Sequence, residues 1–220
     1  MKNYCISIIY DKGIPIDYNT RYNEILSSLK SDTFPIQLIA DPINDIDKQF
    51  KKGELFAIVS LNKILKNSVK GKINFAYRVF ENNEYYPYED DYVWFEYKIN
   101  KIAFIEIIKF IKYFISNNNP NLIEVYSDDI SYEDFSRRLY KPKNFLSWIY
   151  PIHYFSKDYC EKVINNSPDQ ILKLLENVSL YEKLLINQGL LLILKDDYLG
   201  LDEAKALDYL VRSNLGMVVA

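Results

Sequence analysis

Tyr92-Val93-Trp94-Phe95-Glu96-Tyr97-Lys98-Ile99, followed at once by the run Ile102 to Ile115, decides the fold class. The first stretch is aromatic and β-branched, the composition of a pleated, half-buried surface. The second carries its polar residues Glu106, Lys109 and Lys112 three apart, so they share one side of a helix whose other positions are apolar. Strand then helix, without the length for a membrane span, gives an α+β or mixed α/β chain. Upstream, Phe75–Phe80 is a second aromatic run. With the polar Glu81–Asp91 between the two, the pair predicts a hairpin with a long loop.

Similar units lie on either side. Tyr4–Tyr10 reads as a buried strand, Tyr22, Ile25, Leu26 and Leu29 as one helix face, and Leu55–Ser60 as a short strand. Asn117-Asn118-Asn119-Pro120 closes the central helix, and Leu122–Tyr126 returns as a strand. Farther on, Phe145–Tyr150 reads as a strand around Trp148. Ser167-Pro168-Asp169-Gln170 is a capping box with proline at the first helical position. Leu190–Leu194 predicts a strand covered on both faces. Asp202–Arg212 predicts a helix with Ala204, Leu207, Leu210 and Val211 inward. The expected architecture is a central mixed or antiparallel sheet with helices packed on it. Lys141-Pro142-Lys143 marks a boundary between an N-terminal unit, 1–140, and a C-terminal unit, 141–220, packed as one globule.

Several function classes are excluded by counting. The 220 residues hold six glycines, no two closer than eleven positions, so no Gly-x-Gly-x-x-Gly turn or phosphate loop is possible. The single histidine, His153, excludes a His-Glu-x-x-His helix, and Cys5 and Cys160 form no Cys-x-x-Cys pair. No cofactor is expected. Two scattered cysteines and no signal-peptide pattern point to a cytoplasmic protein without a membrane anchor.

Two catalytic constellations deserve weighing. Asp91 with Glu96 and Lys98 has the residue types of a restriction-type nuclease site, where carboxylates hold a metal and lysine orients water. With 30 acids in the chain, about three acid-x-Lys triplets arise by chance, and the sequence has two. A surface hairpin is therefore the reading adopted, and no catalytic or metal residue is assigned. His153 and Cys160 are read as core residues rather than as a nucleophile pair.

Charge points to a protein partner. Residues 81–140 carry 12 Asp+Glu against 6 Lys+Arg, whereas residues 1–80 carry 8 against 12. A nucleic-acid binder shows a basic stripe instead, so direct nucleic-acid binding is not expected. The segment Glu81–Tyr92 holds five acids, four tyrosines and no Lys or Arg. Tyrosine is enriched in contact surfaces. Glu84, Tyr85, Tyr86, Tyr88, Glu89, Asp90 and Asp91 are accordingly assigned to a partner interface. Asp128, Asp129, Glu133 and Asp134 form a second, acidic ledge, where they also suit the start of a helix.

The stretch Arg137 to Tyr150, centred on Ser147-Trp148-Ile149-Tyr150, resembles the Trp-centred strand of the immunity protein 52 family of bacterial polymorphic-toxin systems. Serine stands at Ser147 where the family pattern has glycine. Gly189 to Asp197, then Asp202–Leu215, is similar to that family's closing strand, acidic turn and helix. The order of elements from Phe75 to Asp129 also matches, while the N-terminal third departs. The resemblance implies a non-enzymatic protein that binds and neutralises a cognate secreted toxin, a nuclease of restriction-endonuclease fold. An enzyme, either a metal nuclease or another small α/β enzyme, is the alternative.

Overall fold

The computed structural model describes residues 2–11, 18–42, 54–81, 84–87, 90–138 and 146–217. Nine strands form one sheet: β1 (Asn3–Tyr10), β2 (Glu54–Ser60), β3 (Lys70–Glu81), β4 (Glu84–Pro87), β5 (Asp91–Lys98), β6 (Leu122–Ser127), β7 (Ile152–Phe155), β8 (Glu182–Ile186) and β9 (Gly189–Ile193). Their spatial order is β2-β3-β5-β1-β6-β7-β9-β8, with β4 beside β3. Every pairing is antiparallel. The longer helices are α1 (Tyr18–Leu29), α2 (Phe104–Asn118), α3 (Asp128–Arg138), α4 (Pro168–Leu174) and α5 (Leu201–Asn214). The class is α+β, as the alternation of strand and helix patterns predicts.

Strand parity divides the side chains between two faces. Tyr4, Ile6, Ile8, Ile73, Phe75, Val93, Phe95 and Tyr97 point to one face, where α1 and α2 cover them. From α2 alone, Phe104, Ile107, Ile108, Phe110, Ile111, Phe114 and Ile115 are buried there, about 10–20 kcal/mol of gross apolar burial before chain entropy is charged. Glu106 and Lys109 stay on the outer side and pair at 2.8 Å, while Lys112 reaches Glu182 of the edge strand β8 at 2.6 Å.

Among the described residues, the opposite face is covered over only part of its width. Across β6, β7 and β9 it carries a second core that includes Trp148, Tyr150, Phe155, Cys160, Ile171, Leu175, Leu192, Ala204 and Val211. Across β3, β5 and β1 the same face presents Lys72, Tyr92, Trp94, Ser7 and Ile9, all half-exposed. This uneven cover shapes the candidate site.

Several local expectations shift. The hairpin register differs from the one read from sequence. β5 pairs with Lys70–Asn74, while Arg78 to Glu81 folds onto Pro87 to Glu84, so the presumed long loop contains a strand. Leu146–Tyr150 is buried but lies outside the ladder, and the strand begins at Ile152, after Pro151 interrupts the available backbone donors. On α5, Leu210 is 40% exposed, and Asp208 with Arg212 takes the inward positions beside Ala204 and Val211. The capping box of α4 forms as its sequence specifies, with Ser167 and Gln170 bonding each other's backbone N–H. The boundary stretch at Lys141-Pro142-Lys143 lies outside the described residues, and the sheet itself continues from β6 directly to β7.

The β8–β9 hairpin turns through Asn187 and Gln188, both at positive φ, the backbone of a two-residue hairpin turn. Gly189 then passes so close to β7 that an added Cβ would stand 2.5 Å from the Tyr154 hydroxyl and nearer still to the Phe155 carbonyl oxygen. Gly189→Ala should therefore destabilise the fold by about 1–3 kcal/mol in urea unfolding, the cost of overpacking against backbone. Gly200→Ala, with nothing within 4 Å of the new carbon, is the matched control and should fall within about 0.5 kcal/mol of the parent.

Candidate functional site

The half-covered face forms an open groove. Ser7, Ile9, Lys72, Asp90, Tyr92, Trp94 and Tyr126 line a cleft of about 500 Å³. Register explains the grouping. Lys72 pairs with Trp94, Trp94 with Ser7, Tyr92 with Ile9, and Cys5 with Tyr126, so four strands place alternate residues side by side. The Lys72 ammonium lies 5.2 Å from the Tyr92 ring centre and 5.8 Å from that of Trp94, a cation–π arrangement. Asp90 is exposed at one end. At the other, Tyr126 stands 5.2 Å from Tyr150, which connects the groove wall to the second core.

Acidic groups border this floor. Glu96 accepts from Lys70 at 3.0 Å and from the Asn3 side chain at 3.1 Å. Asp128 and Asp129 open α3 next to the groove, both exposed, with Asp129 paired to Lys2 at 3.1 Å. The Cys5 sulfur lies 4.0 Å from an Asp128 carboxylate oxygen. Burial first, and the Asp128 charge second, push the Cys5 thiol up to about 12, partly offset by a hydrogen bond from Trp94. Cys5 therefore stays protonated at physiological pH and offers no thiolate. Cys160 does likewise: burial raises it to about 12, with its sulfur against the Phe155 carbonyl. A cysteine nucleophile has no support from either position.

Two of the acids assigned to a partner interface are interior, which corrects that assignment. Asp91 is 2% exposed, accepts from Arg21 at 2.7 Å and takes the Ala76 backbone N–H at 2.9 Å. Arg21 also lies over the Tyr10 ring at 4.6 Å. Asp134 is 3% exposed and accepts from the Ser147 hydroxyl and, at 2.6 Å, from the Tyr150 hydroxyl. Ser147 thus has a structural role. The remaining ledge acid, Glu133, is half-buried and bridges to Lys205 of α5 at 3.0 Å.

The acidic-aromatic segment is placed in part. Glu84, Tyr85 and Tyr86 belong to β4, where they pair with Glu81, Phe80 and Val79. Tyr88 and Glu89 lie outside the described residues. Asp90 reaches the groove mouth. Trp94, Tyr126, Ser7 and Lys72 were not singled out from the sequence as contact residues. A strand-parity reading of Tyr92, Trp94 and Glu96 shows that they share a face, yet nothing local says that this face is left open.

The nuclease-like trio is not assembled. Asp91 and Glu96 stand five positions apart on one strand, an odd offset, so their side chains leave opposite faces of the sheet. Asp91 meets Arg21 below, while Glu96 meets Lys70 above. Among the described residues no three His, Cys, Asp or Glu side chains cluster as metal ligands, and no helix is long and apolar enough to cross a membrane.

No protein-family model and no curated protein matches the chain. Among solved structures it is similar to the Pseudomonas aeruginosa T6SS protein PA0821, at 8% sequence identity and a TM-score of 0.52. The match covers 99% of this chain and 73% of that one. At that identity the likeness is one of fold.

Proposed function

We propose that this chain is an immunity protein that binds a cognate secreted antibacterial toxin in the cytoplasm and neutralises it. The observation that carries the reading is the likeness of fold over nearly the whole chain to a type VI secretion protein. The open groove supports it independently. Half-exposed aromatic rings are enriched in protein-contact surfaces, and the carboxylates bordering them disfavour a nucleic-acid grip. The toxin proposed is a nuclease, following the family resemblance of the C-terminal half. The mechanism proposed is occlusion, in which the acidic and aromatic surface docks on a basic cleft that otherwise holds phosphates. Contact residues in this reading are Asp90, Tyr92, Trp94, Tyr126, Asp128 and Asp129, together with the β4 segment Glu84, Tyr85, Tyr86 and the adjoining Tyr88 and Glu89.

The reading also proposes that the chain is not an enzyme. Divergence of Asp91 and Glu96 to opposite faces weakens the metal-nuclease alternative, because one ion cannot be shared through a sheet. The test is a plasmid-degradation assay with the toxin domain encoded by the neighbouring gene. Cleavage should stop at a one-to-one ratio of this chain to toxin. Undiminished cleavage at a tenfold excess, with no complex on size-exclusion chromatography, would overturn the proposal.

A further inference from the structure

We infer that the groove between Lys72, Tyr92, Trp94 and Tyr126 is a cation-accepting subsite, built to take an arginine side chain from a basic protein partner. The inference rests on the partner-binding reading above and gives that partner its chemistry. Its starting point is Lys72. Among the described residues no carboxylate pairs with its ammonium, which is held instead over two ring faces, at 5.2 Å from Tyr92 and 5.8 Å from Trp94. Ring faces carry the negative part of the aromatic quadrupole, so the floor attracts a cation without a counterion. Lys72 covers one wall only. Tyr126 stands beyond β1 on the other side and remains half-exposed. Carboxylates stand nearby: Asp90 belongs to the lining, and Asp128, two positions after Tyr126, lies 4.0 Å from the Cys5 sulfur.

This arrangement fits a guanidinium better than an ammonium. A guanidinium is planar, stacks on aromatic faces, gives up its hydration more readily, and still has N–H donors left for a flanking carboxylate. Lys72 sits where such a group would sit, on a flexible stem able to swing aside. The resident lysine therefore competes with the guest. An anion site would behave in the opposite way, with Lys72 as its gripping residue, so Lys72 decides between the two chemistries.

Trp94 supplies the readout. The chain has two tryptophans, and the other, Trp148, is 1% exposed. Quenching by acrylamide thus reports groove occupancy through Trp94. The probe is an N-acetylated, C-amidated peptide of alternating arginine and serine, compared with the same peptide carrying citrulline, which keeps the shape and loses the charge. The arginine peptide should protect Trp94 saturably and bind about tenfold tighter than the citrulline peptide, the size of a desolvated cation–π contact with its carboxylate. Lys72→Ala should tighten the arginine peptide by about threefold, and Asp90→Asn should loosen it by a similar factor. Trp94→Phe should abolish the signal while circular dichroism stays unchanged. Equal binding of the two peptides, no saturable protection, or a Lys72→Ala variant that binds more weakly would overturn the inference.

A second arm separates this failure from failure of the partner reading. In the complex with the neighbouring-gene toxin, Trp94 should become protected from acrylamide. A stable complex that leaves Trp94 as accessible as in the free chain would sink the subsite and leave the toxin reading standing. No complex, with the arginine peptide still protecting Trp94, would do the reverse.

Discussion

Replacing Asp91 with alanine should cost about 3–5 kcal/mol of folding stability, the usual penalty for stranding one member of a buried ion pair. The carboxylate holds Arg21 at 2.7 Å with both side chains almost fully buried, and it also accepts the Ala76 N–H at 2.9 Å. Removing it leaves a guanidinium in the apolar layer between α1 and the sheet, with the Tyr10 ring face as its remaining contact of known geometry. It also removes the acceptor that Asp91 offers the Ala76 N–H on β3. Asp91→Asn keeps an acceptor for Ala76 and loses only the charge, so it should cost less. The double change Arg21→Met with Asp91→Asn should cost less again than the sum of the two single changes, because no uncompensated charge remains. Urea unfolding of the parent, Asp91→Ala, the two single changes Arg21→Met and Asp91→Asn, and the double variant measures this directly. An Asp91→Ala variant within about 0.5 kcal/mol of the parent would mean that Arg21 finds water or another carboxylate, and the account of this corner would fail.

Asp91 also shows where sequence reading succeeded and where it stopped. The strand itself was legible, since Val93, Phe95 and Tyr97 alternate with Trp94 and Glu96. The same parity puts Asp91 in phase with the buried set, but it follows Glu89 and Asp90 and so reads as the end of an acidic loop. Asp134 is a parallel case on a helix. It lies four residues after the fully buried Ile130, on the inward side of α3, within a run of acids that reads as surface. Asp208 and Arg212 fall in phase with Ala204 and Leu215 in the same way. In each instance the period of the element carried the information and the charge of the residue overrode it. The edge strand β8 was missed for another reason. Its hairpin turns at Asn187-Gln188, without the glycine that advertises such a turn, and Gln188 adopts a left-handed conformation its type does not signal. The groove was beyond local reading altogether. It brings together residues 7, 72, 94 and 126 from four strands, and its openness depends on the helices after β6 covering only the far half of the face.

Trp94→Ala should weaken the complex with the toxin by about thirtyfold or more, roughly 2 kcal/mol, as truncation of a central aromatic anchor does. The ring stands at the middle of the groove, between Lys72 and Ser7 across the strands, and is only half-buried. Its removal should therefore leave the fold intact, well short of the 3–5 kcal/mol that truncating a fully buried tryptophan costs. The loss should appear mainly as faster dissociation, because the ring acts after the surfaces have met. Charge on the neighbouring ledge should act on the other rate. Asp128→Lys with Asp129→Lys reverses two exposed carboxylates at the start of α3, and the Lys2–Asp129 pair it breaks is a surface contact worth little. The association rate of that variant should fall by about tenfold at low salt, with the deficit shrinking as salt is raised, because ions screen exposed charges over about 8–10 Å near physiological strength. Surface plasmon resonance at two salt concentrations, with circular dichroism on every variant, separates the two effects. A folded Trp94→Ala protein that dissociates at the parent's rate, beside a ledge variant that no longer associates, would move the interface from the groove to α3. Parent-like kinetics in both would remove it from this face of the sheet.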